Sequence, residues 1–292
     1  MRILITGAKG RLGAALADGL LAAGHDVTPL GRRELDICDV RRVSRLTSTL
    51  RPHVIVNCSA YNAVDAAEAD PAVAFTINAT GPAVLAACAA STGALLVHYS
   101  SDFVFDGETA EPYTEECPAN PLSVYGTSKL AGEEEVRKAS RHYILRVESL
   151  FGSGRGATID RFIERMLVGL PVPAFVDRTV SPSYVPDVVA ATAALLEVGG
   201  RYGTYHCVNS GYATWYALAL ELAACLGVPP RVEATLSGTS RAAAARPRFC
   251  ALSNRKLRGL GIVLPDWQSA IARHAATYGV AAQRPSYQTL PA

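Results

Sequence analysis

The sequence predicts a doubly wound α/β fold, a parallel sheet covered by helices on both faces, with a smaller C-terminal substrate lobe. Three observations lead there. Short β-branched runs alternate with Ala- and Leu-rich helical stretches through the first half of the 292 residues, the first strand runs straight into a glycine-rich turn, and the regularity loosens after Gly152. Strand, helix, strand at this spacing implies parallel crossovers, which bury both faces of a sheet.

The elements follow in order. Residues 3–6 read as the first strand and a helix starts at Arg11; a strand over 27–30, a helix over 40–50 and a strand over 53–58 continue the alternation. A long helix is expected over about 71–90 and a strand over 94–100. The stretch SVYGTSKLAGEEE reads as a helix by its Ala, Leu and Glu content, and a strand over 143–147 follows it. Gly and Pro are frequent between residues 152 and 186, as where a chain leaves its main sheet, and helices resume over 188–198 and 214–226.

Composition narrows the function classes. A chain that is 49% hydrophobic and 18% charged can bury a large core, and a net charge of +2 with scattered arginines gives no basic field for nucleic acid or a membrane surface. Small molecules are the expected partners. The seven cysteines are odd in number and widely spaced with no CxxC, which argues against a disulfide framework or a zinc cluster and fits a reducing cytoplasm. The N-terminal MRILITG enters a strand pattern directly rather than an apolar leader, and the longest apolar run, over 82–97, is broken by Ser91, Thr92 and Gly93. No membrane span is expected.

The turn after the first strand reads TGAKGRLG, with Gly7, Gly10 and Gly13. Such a loop lets backbone approach a pyrophosphate, while the following helix offers unpaired N–H groups and the positive end of its dipole. Gly7, Lys9, Gly10, Arg11 and Leu12 are therefore expected against a dinucleotide. At the end of the second strand, where an NAD site places an acid, the chain reads PLGRREL. Arg32 and Arg33 suit a 2′-phosphate instead, so NADP(H) is the expected cofactor, with Asp36 and Ile37 nearer the adenine. The expected division is a dinucleotide-binding domain over 1–150, rejoined by about 176–208, a substrate lobe from 151–175 and 209–280, and a tail over 281–292.

Tyr125 and Lys129 stand four positions apart, on one face of the predicted helix. Before that helix, VHYSSDFVFDG is a strand ending in hydroxyls at the carboxyl edge of the sheet, where open α/β sheets bind ligands. Ser101 is a donor for a carbonyl oxygen there; alternation along the strand leaves Ser100 open as well. A nearby Lys129 cation would favour the Tyr125 phenolate and bring its pKa toward neutrality. These groups make a hydride-transfer site. His98, Trp215 and Trp267 read as packing residues, Asp102 as a turn cap or a site residue, and GEEEVRK as a solvated helix face.

The motifs TGAKGRLG, ELDICD, VIVNCSAYNAVDAAE, INATGPAVLA, SSDFVFDG, YGTSKLAGE and PSYVPDVV together resemble the extended short-chain dehydrogenase/reductases, and within them the dTDP-4-dehydrorhamnose reductases. The resemblance covers most of the chain, including the later ARPRFCALSNRKLRGLGIVLPDW, and implies a Rossmann fold and NADPH-dependent reduction of the C4 ketone of a nucleotide-activated deoxysugar. It places Ser101 where the family has its catalytic Thr. Tyr125 becomes the proton donor, and Lys129 the residue that holds the nicotinamide ribose. Asn78 matches the structural member of the tetrad, Cys58, Ser59, Ala60 and Tyr61 line the cofactor, and Val64, Asp65, Asp102, Phe103 and Ser149 face the sugar. The segments RVESLFG and DRTVSPS depart from the family pattern, with Ser149 in place of an aromatic and with Arg178 and Val180 altered. Some members use a magnesium-linked dimer with an acid after the glycine loop; Ala14 and Ala15 stand there, and no metal is expected, in a monomer or homodimer.

Phe103 after Asp102 removes the second acid that a 4,6-dehydratase would want, and Arg32 with Arg33 does not favour a 4-epimerase that keeps NAD. The chain also resembles the regulatory β subunit of methionine adenosyltransferase, which implies an alternative: a non-catalytic NADP-binding subunit.

Overall fold

The computed structural model describes residues 1–154, 156–239 and 242–279, so the expected tail lies outside the described residues. The first half comprises β1 (Arg2–Thr6), α1 (Arg11–Ala22), β2 (Asp26–Leu30), α2 (Val40–Leu50), β3 (Val54–Asn57), α3 (Val64–Ala69), α4 (Pro71–Phe75), α5 (Gly81–Thr92), β4 (Leu95–Ser101), α6 (Val124–Val136) and β5 (His142–Val147). The second half comprises β6 (Leu150–Phe151), α7 (Thr158–Leu167), β7 (Val172–Phe175), β8 (Thr179–Val180), β9 (Ser183–Tyr184), α8 (Val185–Val198), β10 (Gly203–His206), β11 (Ala213–Thr214), α9 (Trp215–Leu226), β12 (Val232–Thr235), α10 (Arg255–Arg258) and α11 (Trp267–Ala276). Six strands form one sheet in the order β10-β5-β4-β3-β1-β2, every pair parallel. The predicted doubly wound architecture is the one observed.

Alternation along β1 shows how the sheet is covered. Ile3 and Ile5 pack with Leu16, Leu20 and Val188 on one face, whereas Leu4 packs with Ile55, Leu85 and Leu96 on the other, all fully buried. The second core gathers α7, α9 and α11 around Phe151, Ile163, Leu222 and Ile271, and both Trp215 and Trp267 belong to it. Between the two cores lies Asp160, fully buried on α7. Its Oδ2 accepts from Arg11, at the start of α1, at 3.3 Å, and its Oδ1 accepts from His274 on α11 at 2.7 Å and from the Tyr278 hydroxyl at 3.2 Å.

Two elements differ from expectation. The helix predicted over 71–90 is α4, a π-turn over Thr76–Thr80, and α5. The widened turn carries Asn78, whose amide accepts from the Tyr61 N–H at 2.8 Å and donates to the Tyr61 carbonyl at 3.1 Å and the Ser128 hydroxyl at 3.0 Å. Side-chain bonds to a neighbouring loop replace some of the regular helical register. The run Pro71–Thr92 is long and apolar enough to cross a membrane by length and composition, and half of it is buried inside the fold.

The second difference lies in GEEEVRK, which is not a solvated face throughout. Glu133 is fully buried and takes Arg146 of β5 in a two-pronged pair, Nε to Oε1 at 2.8 Å and Nη2 to Oε2 at 2.7 Å. One residue earlier, Gly132 is pressed so closely on the π-turn that a Cβ would stand 2.0 Å from the Asn78 carbonyl oxygen.

Candidate active site

The carboxyl ends of β1, β3 and β4 meet at a cleft made of two adjoining cavities of about 490 and 290 Å³, which share Gly10, Cys58, Ser59, Ala60 and Asn62. A polar ladder crosses the strand ends beneath it. Thr6 donates to the Asn57 Oδ1 at 2.8 Å, and the Asn57 amide meets His98 Nδ1 at 2.9 Å, following the register Thr6↔Asn57↔His98. His98 is fully buried as a strand residue, and burial together with the Lys129 charge pushes it well below its ordinary pKa.

The smaller cavity is the one the glycine loop opens. Gly7 has φ of +67°, a conformation that favours glycine, and a Cβ there would lie 2.6 Å from the Cys58 and Ser59 backbone. Lys9, Gly10, Arg32, Asp36, Ile37, Cys58, Ser59, Ala60 and Tyr61 line this cavity, whereas Arg33 and Asn78 do not border either one. Asn78 acts one layer back, holding the Tyr61 backbone. The cradle fits a dinucleotide: close backbone, a helix N-terminus at Arg11, and a guanidinium at the end of β2.

The larger cavity collects the reacting side chains. Arg11, Leu12, Val64, Ser100, Ser101, Asp102, Phe103, Tyr125, Lys129 and Ser149 all line it. α6 presents Tyr125 and Lys129 because its N-cap Ser123 accepts from the Gly126 N–H, fixing where the helix starts, and a spacing of four then turns both inward. Tyr125 is 7% exposed and its hydroxyl donates to Asn62 Oδ1 at 3.4 Å. Lys129 is 2% exposed and donates to the Tyr99 carbonyl at 2.6 Å.

The electrostatics differ from the sequence expectation at one point. Burial pushes the Tyr125 phenol well above its ordinary value, the Asp102 carboxyl adds to this, and the Ser101 hydroxyl works the other way. Lys129 does not bring the phenol toward neutrality; its own ammonium is pushed down to about 8 by burial, against the opposing pull of Glu133 and Cys58. Desolvation outweighs the neighbouring charge in both groups.

A family model described as the RmlD substrate binding domain matches residues 1–280. The chain belongs to that family. A dTDP-4-dehydrorhamnose reductase of Streptomyces griseus is 37% identical over 278 residues, covering 92% of this chain and 91% of that protein. A probable dTDP-4,6-dihydroxy-2-methyloxan-3-one 4-ketoreductase of Streptomyces antibioticus is 37% identical over 289 residues, 98% of each chain. Among solved structures, a dTDP-4-dehydrorhamnose reductase of Bacillus anthracis str. Ames in complex with NADP superposes with a TM-score of 0.90 at 32% identity, over 94% of this chain and 99% of that one.

Within this RmlD-family chain, two placements were outside the reach of the motifs. Asn62, one residue beyond the stretch assigned to the cofactor, borders both cavities and accepts from Tyr125. Asp65, expected at the sugar site, borders neither cavity; it takes Arg246 at 2.9 and 2.7 Å and the Ala244 N–H at 3.0 Å, clamping a segment far along the chain. Ser149 lines the larger cavity with φ of +46°, a left-handed conformation uncommon for a residue with a Cβ.

Proposed function

We propose that the chain is an NADPH-dependent reductase of the C4 ketone of a nucleotide-activated 4-keto-6-deoxysugar. The observation that carries this reading is the convergence of Ser101, Tyr125 and Lys129 on one cavity that continues into the glycine-loop cradle. The relatives named as dTDP-sugar reductases, and the solved one in complex with NADP, support the same substrate class and cofactor.

NADPH, when bound, supplies the hydride. The backbone of Gly7 and Gly10 and the start of α1 take the pyrophosphate, Arg32 and Lys9 take the 2′-phosphate, and Lys129 takes the nicotinamide ribose. Ser101 and Tyr125 hold the carbonyl oxygen of the sugar. As charge develops on that oxygen, two aligned donors stabilise it, and Tyr125 transfers its proton. A phenol kept protonated by burial suits this acid role. The second core is read as the substrate lobe, with Ser149 and Val64 toward the sugar. All seven cysteines are free, in keeping with a cytoplasmic enzyme.

The test is oxidation of NADPH by the purified protein with dTDP-4-keto-6-deoxysugars, before and after C3/C5 epimerisation. Turnover with one of them that Tyr125→Phe removes, while NADPH still binds, supports the reading. Tight NADPH binding with no turnover on any of them would turn the chain into a binding subunit.

A further inference from the structure

From the wall of the larger cavity, where Asp102 stands, a polar cluster runs back into the fold that the reaction just described does not use. Asp102, next to Ser101, is 4% exposed, Glu148, just past β5, is 2%, and Cys250 is 1%. An oxygen of each carboxyl and the Cys250 sulfur all lie within 4.8 Å of one another. Glu148 Oε2 accepts from the Ser181 N–H at 2.6 Å, while its Oε1 is buried with no hydrogen-bond partner. The groups facing Asp102 are Glu148, the Arg178 guanidinium from before β8, the Cys250 thiol and the Tyr125 phenol from α6. Among the described residues, two carboxyls share this space with a single cation. A dry site with one guanidinium compensates one negative charge, so the second carboxyl keeps its proton.

The hydrogen bonds of Ser101 say what that proton is for. A serine hydroxyl has one proton to give and two lone pairs to receive. Ser101 Oγ already accepts from the Phe103 N–H at 3.2 Å and lies 2.7 Å from Asp102 Oδ1. With Asp102 ionised, only the Ser101 proton can fill that second contact, and Ser101 has nothing left to donate to a carbonyl oxygen. With Asp102 protonated the contact reverses: Ser101 accepts twice, and its own proton is free to point into the cavity.

We propose that Asp102 is a positioning residue that works as the neutral acid, donating to Ser101 so that Ser101 presents its proton to the substrate carbonyl. The proposal rests on the reading of Ser101 as a carbonyl donor. Glu148 and Arg178 set how many protons the buried pair keeps, and no net proton is consumed by the arrangement. Burial pushes Glu148 well above the ordinary carboxylate range and Asp102 up to about 6, each against the pull of Arg178, so the donating form of Asp102 is the one present below about pH 6.

The decisive variant is Asp102→Asn, a permanently neutral side chain whose amide can donate to Ser101 Oγ. The measurement is kcat/KM for NADPH-dependent reduction across about pH 5.5 to 9, beside NADPH affinity as the folding check. The wild type is expected to lose activity roughly tenfold per pH unit above the Asp102 pKa. Asp102→Asn is expected to lack that fall, whatever its maximal rate, keeping only the limb that belongs to Lys129. Ser101→Ala, by contrast, should lower kcat about 100-fold at every pH. Arg178→Gln should move the fall to higher pH, since it removes the cation that favours the ionised Asp102, and this reads the same idea if Asp102→Asn fails to bind NADPH. The proposal is overturned if Asp102→Asn binds NADPH and keeps the wild-type pH profile, or if Arg178→Gln leaves the profile in place. A wild-type protein that reduces no 4-keto sugar would overturn the function reading instead.

Discussion

Replacing Glu133 by Gln removes one charge from a place where it has no substitute. Glu133 is fully buried, and its oxygens hold Arg146 at 2.8 and 2.7 Å and Arg137 at 2.6 Å. Arg146 is itself 2% exposed, so the change strands a guanidinium in the core between α6 and β5. The amide keeps the shape but turns one acceptor into a donor facing a donor. Breaking a buried pair from one side costs about 3–5 kcal/mol. With an unfolding entropy of about 2.1 cal/mol/K per residue, a chain of this length loses roughly 5–8 °C of Tm. The pair also bears on the site: the Glu133 charge raises the Lys129 pKa against burial, so Gln lets it fall further below about 8. Activity at the alkaline end should then decline at lower pH than in the wild type. Calorimetry at neutral pH with a pH–rate profile reads both effects. A Tm within about 2 °C of wild type would refute the reasoning. So would a Glu133→Gln/Arg146→Met double variant no more stable than Glu133→Gln alone, because removing the stranded cation should restore stability.

Three further outcomes are expected. Gly132→Ala puts a Cβ 2.0 Å from the Asn78 carbonyl oxygen, so it should cost about 1–3 kcal/mol in denaturant melts and also weaken NADPH binding, since Asn78 holds Tyr61. Arg32→Ala should raise the NADPH Kd about tenfold and leave NADH unchanged, whereas Arg33→Ala should do little because Arg33 borders neither cavity; titration of both cofactors separates them. His206 is held neutral, pushed down to about 3 mainly by burial and then by Arg146, so below about 6.5 the unfolded chain binds the extra proton and stability falls with pH. Asp102, raised to about 6, contributes the opposite slope, so the effect is read as a difference: His206→Gln should be less acid-sensitive than wild type by up to about 1.4 kcal/mol per pH unit in urea melts.

The sheet and the cradle were legible because their signals are local and periodic. Strands such as Val54–Asn57 begin with a run of β-branched residues, and Gly7, Gly10 and Gly13 sit at the first strand–helix junction, where few structures other than a phosphate cradle need them. The spacing of Tyr125 and Lys129 gave their shared face before any coordinates. What stayed hidden depends on contacts across long sequence distances. Asp65 and Arg246 pair over a separation of 181 residues, and Glu133 and Arg146 meet only when α6 lies on β5. The π-turn at Asn78 was unreadable for a similar reason: its composition is that of any apolar helix, and the partner that bends the register is the Tyr61 loop. Neither periodicity nor composition carries that information.

The carboxylate of Asp160 has a consequence for how the molecule can open. It grips Arg11 at the mouth of the cofactor cradle and His274 and Tyr278 at the far end of the second core. A swing of one half away from the other must therefore let go of one side of this buried anion, leaving it short of a partner in a place water does not reach. The two cores are thus tied at one buried carboxylate, and parting them costs a charged hydrogen bond on one side of it.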